Sequence, residues 1–174
     1  MKMEKIMTHL ESHLDPRFDL TLERVVDLPP ALVWAAWTQA EHLVHWFTPA
    51  PWKTVACEID LRPGGKFNTT MRSPEGQEFP GSGCYLEVQH EKKLVWTNAL
   101  QPGYRPAASG AAKESDSFAF TAIISIEAHG SGTKYTATAL HNNEEDCQKH
   151  AAMGFADGWG AALAQLVEYM KQQA

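Results

Sequence analysis

The sequence predicts an α+β fold: a curved antiparallel sheet of about six to seven strands, two short helices after the first strand, and a long C-terminal helix packed across the concave face. Three observations carry this prediction. Between Trp52 and His141, short alternating segments are separated by turns rich in Gly and Pro, as in successive antiparallel strands. The pair Pro29-Pro30 stops an alternating first segment and opens a stretch with helical spacing. From Asn143 to Ala174 no proline occurs, and apolar residues recur at Met153, Ala156, Trp159, Leu163, Leu166, Val167 and Met170, three or four apart.

Taken in order, residues 1–16 read as a leader ending at Pro16, and 17–174 as a single domain. Phe18 to Val26 alternates as the first strand. Ala31 to Thr38 and Gln39 to Phe47 are the two short helices, the second ending before Thr48-Pro49-Ala50-Pro51. Strands follow over Lys53–Asp60, Lys66–Arg72, Phe79–Val88 and Lys93–Leu100, with turns at Pro63-Gly64-Gly65 and Pro74-Glu75-Gly76. Gln101 to Ser115 is a long loop, and Phe118–Glu127 with Lys134–His141 form the last hairpin. Asn142 and Asn143, followed by Glu144, Glu145 and Asp146, cap the terminal helix and suit its positive end. Gly154, Gly158 and Gly160 each cost a helix about 1 kcal/mol against alanine. They predict a close approach of another chain segment or a ligand to the helix backbone.

Composition excludes several classes. The hydrophobic fraction of 44% and charged fraction of 21% fit a folded globular chain of 174 residues. No apolar run approaches the ~20 residues of a membrane span. Met1 to Leu14 carries charges and histidines and lacks the apolar core of a secretion signal, so cytoplasmic residence is expected. The net charge of −6, with no basic stripe, argues against nucleic-acid binding. Cys57, Cys84 and Cys147 are widely spaced with no CxxC pair, and read as free thiols.

Alternation sets which strand residues face the helix. Phe67, Thr69 and Met71 share one face; so do Phe118, Phe120, Ala122, Ile124 and Ile126; Tyr135, Ala137, Ala139 and His141 face inward in the last strand. Around Tyr85, Glu87 and Val88 the parity is ambiguous, and Trp96 with Asn98 fits either side. Trp46, Phe47, Trp52 and Trp159 suit the walls and rim of an apolar cavity. The candidate ligand-binding set is therefore Trp46, Phe47, Trp52, Phe67, Met71, Tyr85, Glu87, Trp96, Phe118, Phe120, His141, Met153, Gly154, Phe155, Gly158 and Trp159.

No hydrolase, zincin, P-loop or dinucleotide motif occurs, so no catalytic residue and no cofactor are assigned. Cys147 and His150 lie one helical turn apart and could join His141 around a metal, but a fourth ligand is missing and no metal is assigned. Glu58, Asp60, Glu87 and His141 are the candidates for acid–base work, with Arg62 pairing Asp60. His42 and His45, amid apolar residues, suit a core or rim role.

The motifs Pro29-Pro30-Ala31-Leu32-Val33-Trp34-Ala35-Ala36-Trp37-Thr38 and His42-Leu43-Val44-His45-Trp46-Phe47 occur in sequence with Glu58 to Phe67, Gly83-Cys84-Tyr85-Leu86-Glu87-Val88 and Gly154 to Gly160. Over about residues 17–172 this order resembles the START-like, helix-grip (SRPBCC) superfamily, and within it the bacterial branch similar to the C-terminal domain of the heat-shock-chaperone ATPase activator. The resemblance implies a hydrophobic small molecule bound between the curved sheet and the C-terminal helix. It also implies two alternatives: a cyclase- or hydrolase-type enzyme acting on an aromatic or polyketide-like substrate, and a stress-response module with a chaperone partner. Edge strands and surface tryptophans are compatible with a homodimer.

Overall fold

Pro29 and Pro30 divide the first strand from the first helix, and each later Gly-rich turn closes a hairpin. The computed structural model describes residues 14–107 and 118–173. Along them run β1 (Asp19–Val26), α1 (Pro30–Thr38), α2 (Ala40–Leu43), β2 (Lys53–Ile59), β3 (Lys66–Arg72), β4 (Glu78–Gln89), β5 (Lys93–Thr97), β6 (Leu100–Gln101) and β7 (Arg105–Pro106). Next come β8 (Phe120–His129), β9 (Gly132–His141), α3 (Glu144–Ala152) and α4 (Phe155–Gln173). Seven strands form one antiparallel sheet in the order β1-β9-β8-β5-β4-β3-β2, while β6 and β7 make a separate small hairpin. The α+β helix-grip architecture is thus the observed one. Most of the expected leader, residues 1–13, and the later part of the expected long loop, 108–115, lie outside the described residues.

Pro30 occupies the first turn of α1, where its missing N–H leaves no bond unmade. This helix buries Val33, Trp34, Ala36 and Trp37. The second short helix ends at Leu43, earlier than its apolar pattern suggests, and Val44 to Trp46 continue as turns.

The terminal helix is two helices. Asn143 caps α3, its side-chain oxygen accepting the Asp146 N–H at 2.8 Å. The helix closes at Met153 and Gly154, whose N–H groups bond to Lys149 O at 3.0 Å and Ala151 O at 3.1 Å. Gly154 then takes φ +90°, a left-handed conformation open to glycine, and Phe155 begins α4. This break resets the helical phase. Met153, 61% exposed, and Ala156 turn to solvent, while Phe155, Ala162, Leu163, Leu166 and Met170 turn inward. Removing each large apolar side chain from water stabilises the fold by about 1.5–3 kcal/mol.

A β-bulge explains the ambiguous parity of β4. The register with β5 runs Tyr85↔Trp96 and then Glu87↔Val95, skipping Leu86. Tyr85 and Val88, three apart, therefore both pack on the core with Trp96 and Leu94, and Glu87 faces the other side. A second register shift falls in β2 between Thr54 and Ala56, while β3, β8 and β9 pair without one. Phe67, Ala122, Ile124, Ile126, Tyr135, Ala137 and Ala139 all belong to the buried core.

Candidate functional site

The concave face of the sheet carries a continuous run of aromatic rings. Phe67 on β3 lies 5.4 Å from Tyr85 and 4.9 Å from Trp96, centroid to centroid. Trp96 meets Phe120 at 5.5 Å, and Phe120 meets Trp159 of α4 at 6.0 Å. Phe47, following α2, covers this run and touches Phe67 at 5.6 Å and Trp96 at 6.3 Å. Asn98 positions the start of β8: its amide donates to Phe118 O at 3.3 Å and its oxygen accepts the Phe120 N–H at 2.9 Å. Phe118 and Phe120, two residues apart, thereby share the inner face.

Two donors in this wall have no partner. The Tyr85 hydroxyl and the Trp96 indole N–H are sealed from solvent and make no hydrogen bond among the described residues. Each such orphan costs about 1–3 kcal/mol, and native folds keep few of them. Burial, with a smaller contribution from Cys57, pushes the Tyr85 hydroxyl well above its ordinary pKa, so it remains an O–H donor.

At the far end of the run stands a histidine pair. His141 closes β9, and its Nδ1 lies 2.7 Å from Phe18 O. Its Nε2 lies 2.8 Å from Nδ1 of His150 on α3. Phe118, Phe120, Phe155 and Trp159 surround the His150 ring at centroid distances of 4.8, 5.2, 5.2 and 5.9 Å. Burial first, and the His141 charge second, lower the His150 pKa to about 4. From the sequence, His150 is a candidate only for a metal site. Its spacing of three from Cys147, which places both on the buried face of α3, is the signal that it points inward.

The candidate residues divide clearly. Phe47, Phe67, Tyr85, Trp96, Phe118, Phe120, His141, Phe155 and Trp159 come together along the concave face. Trp46 is a core residue whose indole donates to Ala36 O at 3.1 Å. Trp52 stands apart, half-buried against Phe79 at 5.7 Å, and Met71 pairs across β3 with Thr54 and Phe79. Glu87 and Met153 do not line the interior. The bulge turns Glu87 outward, where it bonds Gln89 and pairs with Lys93 at 3.0 Å, and the break at Gly154 leaves Met153 in solvent. The expected close approach of another chain segment to Gly154, Gly158 and Gly160 is not seen among the described residues: a Cβ on any of them would stand in open space, with no described atom within 4 Å beyond its own neighbours and helix backbone.

The carboxylate candidates also face outward. Glu58 bonds Lys66, which holds its pKa below the ordinary carboxylate value, and Asp60 pairs with Arg62 at 2.8 Å as its spacing suggests. His42 bonds the Tyr169 hydroxyl at 3.0 Å, and His45 stacks on that ring at 4.6 Å, joining α2 to α4. Cys84 and Cys147 are buried free thiols; Cys57 is half-buried, its pKa pushed up to about 11 mainly by that burial. Among the described residues no group of three or more His, Cys, Asp or Glu could hold a metal. No described helix is long and apolar enough to cross a membrane. Surface hollows of about 300 and 360 Å³ lie elsewhere, one beside Glu58, Asn68 and Ser82 and the other beside Arg62 and Tyr104.

No curated protein sequence matches the chain. Solved structures do. A crystal structure of a Nitrosomonas europaea protein is similar over 92% of this chain and 98% of its own, at 46% identity and a TM-score of 0.86. A solution structure from Arthrobacter aurescens shares 20% identity over 91% of this chain and 90% of its own, with a TM-score of 0.76. A Silicibacter pomeroyi structure described as an AHSA1 protein matches over 90% of this chain and 99% of its own, at 20% identity and a TM-score of 0.63. The last two show the fold alone. The family model "Activator of Hsp90 ATPase homolog 1-like protein" matches residues 27–171, from the turn after β1 nearly to the end of α4. That match over most of the length, together with the 46% identical structure of the same fold, makes this chain a member of the activator of Hsp90 ATPase homolog 1-like family, within a superfamily that commonly binds hydrophobic ligands.

Proposed function

We propose that the chain binds a small, largely apolar molecule between the concave face of the sheet and α4. The observation that carries this reading is the pair of orphan donors, Tyr85 Oη and Trp96 Nε1, on cross-strand neighbours of one aromatic wall. An apolar wall with a few unspent polar groups is how small-molecule sites combine affinity with orientation. A ligand oxygen reaching both groups would accept two hydrogen bonds where the unliganded protein makes none. Both donors are sealed here, so the bound form is a more open one, in which α4 swings about Met153–Gly154 and Phe47 gives way. The described residues form this site within the segment 17–174, which we take to be one domain.

Native mass spectrometry of gently purified protein, compared with its denatured mass, tests the reading. The expected result is a non-covalent adduct of a few hundred daltons that is diminished in Tyr85→Phe. If no small molecule is retained, and none of a panel of apolar carbonyl compounds binds on addition, the proposal fails.

A further inference from the structure

We infer that His150 Nε2 is the polar anchor at the Trp159 end of this site, and that it selects planar aromatic molecules carrying a hydroxyl group, phenols in the chemical sense. The inference rests on the proposed ligand site and specifies its occupant. It follows from which nitrogen must carry each proton. Phe18 O can only accept, so His141 Nδ1, at 2.7 Å, donates to it. With both rings neutral, His141 Nε2 is then a lone pair, and it accepts the His150 Nδ1–H at 2.8 Å. The tautomer of His150 is fixed in turn, leaving Nε2 as an acceptor with no hydrogen bond among the described residues.

His150 is 8% exposed and its Nε2, unlike Tyr85 Oη and Trp96 Nε1, is not fully sealed, so a bound molecule can reach this acceptor within an otherwise apolar setting. The surrounding rings of Phe118, Phe120, Phe155 and Trp159 present faces and edges suited to a flat aromatic body. Gly158, on the turn that carries Phe155 and Trp159, has open space where a Cβ would stand. A carboxylate brings no hydrogen for Nε2, and a hydrocarbon leaves it unpaired. A phenolic O–H satisfies it while its ring occupies the box. Adding one proton to the histidine pair, on either ring, would turn Nε2 from acceptor to donor, and the selectivity belongs to the neutral pair.

The test compares 1-naphthol with 1-methoxynaphthalene, which has the same ring system and no donor, by isothermal titration calorimetry at neutral pH. The naphthol is expected to bind roughly five- to tenfold more tightly, the worth of one net hydrogen bond. That preference should vanish in His150→Phe, which keeps an aromatic ring in the box. Histidine ¹⁵N spectra of the wild-type protein provide a readout that needs no variant: the unprotonated His150 Nε2 signal should move on adding naphthol and stay put with the ether. Equal binding of the two probes, or an unmoved Nε2 signal, overturns the inference and leaves the ligand-site reading standing. Failure of both probes to bind, when other apolar molecules do, also overturns it; failure of every apolar molecule removes both.

Discussion

Three buried tryptophans on the two sides of the core end differently. On the β1–β9 side, under α1, Trp37 Nε1 donates to the Tyr135 hydroxyl at 3.2 Å and Trp46 Nε1 to Ala36 O at 3.1 Å. Thr133, fully buried, donates to Leu28 O at 2.7 Å. On the β4–β5 side, Trp96 Nε1 and Tyr85 Oη are as deeply buried and have no partner among the described residues. Burial is alike on both sides, so hydrophobicity does not distinguish them. What differs is that one side is completed by the chain's own hydrogen bonds and the other is left incomplete. The completed side stabilises the fold; the incomplete side has groups available for something else.

Substitutions on the two sides should therefore have unequal effects, the largest on the completed side. Trp37→Ala removes a large ring that is 3% exposed and strands the Tyr135 hydroxyl, and should cost about 3–5 kcal/mol in denaturant unfolding. Acid should act next. The His150 pKa is lowered to about 4 in the fold, against about 6.5 in the unfolded chain. As pH falls from about 6.5 toward 4, the unfolded state takes up the proton first, so this group's stabilising contribution is fully present above the window and lost through it. Thermal unfolding of the wild type should therefore drop more steeply than that of His150→Phe in this window, by at most about 1.4 kcal/mol per pH unit.

Smaller effects separate the two helical glycines. Gly154→Ala forces an L-residue into φ +90° and should destabilise by about 1 kcal/mol or more. Gly158→Ala meets no described atom and should stabilise by up to about 1 kcal/mol through helix propensity, while weakening ligand retention. The smallest stability change belongs to Tyr85→Phe. Deleting an unpaired buried hydroxyl should leave the unliganded protein as stable as before or slightly more so, yet reduce the bound adduct. A loss of several kcal/mol there would mean that Tyr85 belongs to the completed side.

Most of this architecture was legible because local chemistry and global fold agree. β3 spans Lys66–Arg72 as its alternation indicates, because proline- and glycine-bearing turns bound it on both sides. The inward parity of Tyr135, Ala137, Ala139 and His141 was equally legible, with all four buried. Two features were not. An extra residue at Leu86 breaks a period-2 pattern without changing composition, so Glu87 could be read as facing inward when it pairs with Lys93 on the other face. Glycines inside an apolar helical pattern signal either a close approach or a break, and sequence does not separate the two. Gly154 is the break, and it takes Met153 out of the site. The site itself was half legible: its aromatic wall follows from strand alternation, whereas the His141–His150 contact joins a strand end to a helix through tertiary packing alone.

The most direct test of the unequal sides is the indole region of a ¹⁵N–¹H correlation spectrum, with the six tryptophans assigned by substitution and the protein titrated with its retained molecule or with an apolar carbonyl compound that binds. On binding, the Trp96 and Trp159 indole signals should move, Trp96 as its N–H gains an acceptor. Those of Trp37 and Trp46, already bonded within the protein, should stay where they are. If Trp37 and Trp46 moved while Trp96 did not, or if only the outlying Trp52 responded, the ligand would lie elsewhere and the unpaired Tyr85 and Trp96 groups would not be its anchors.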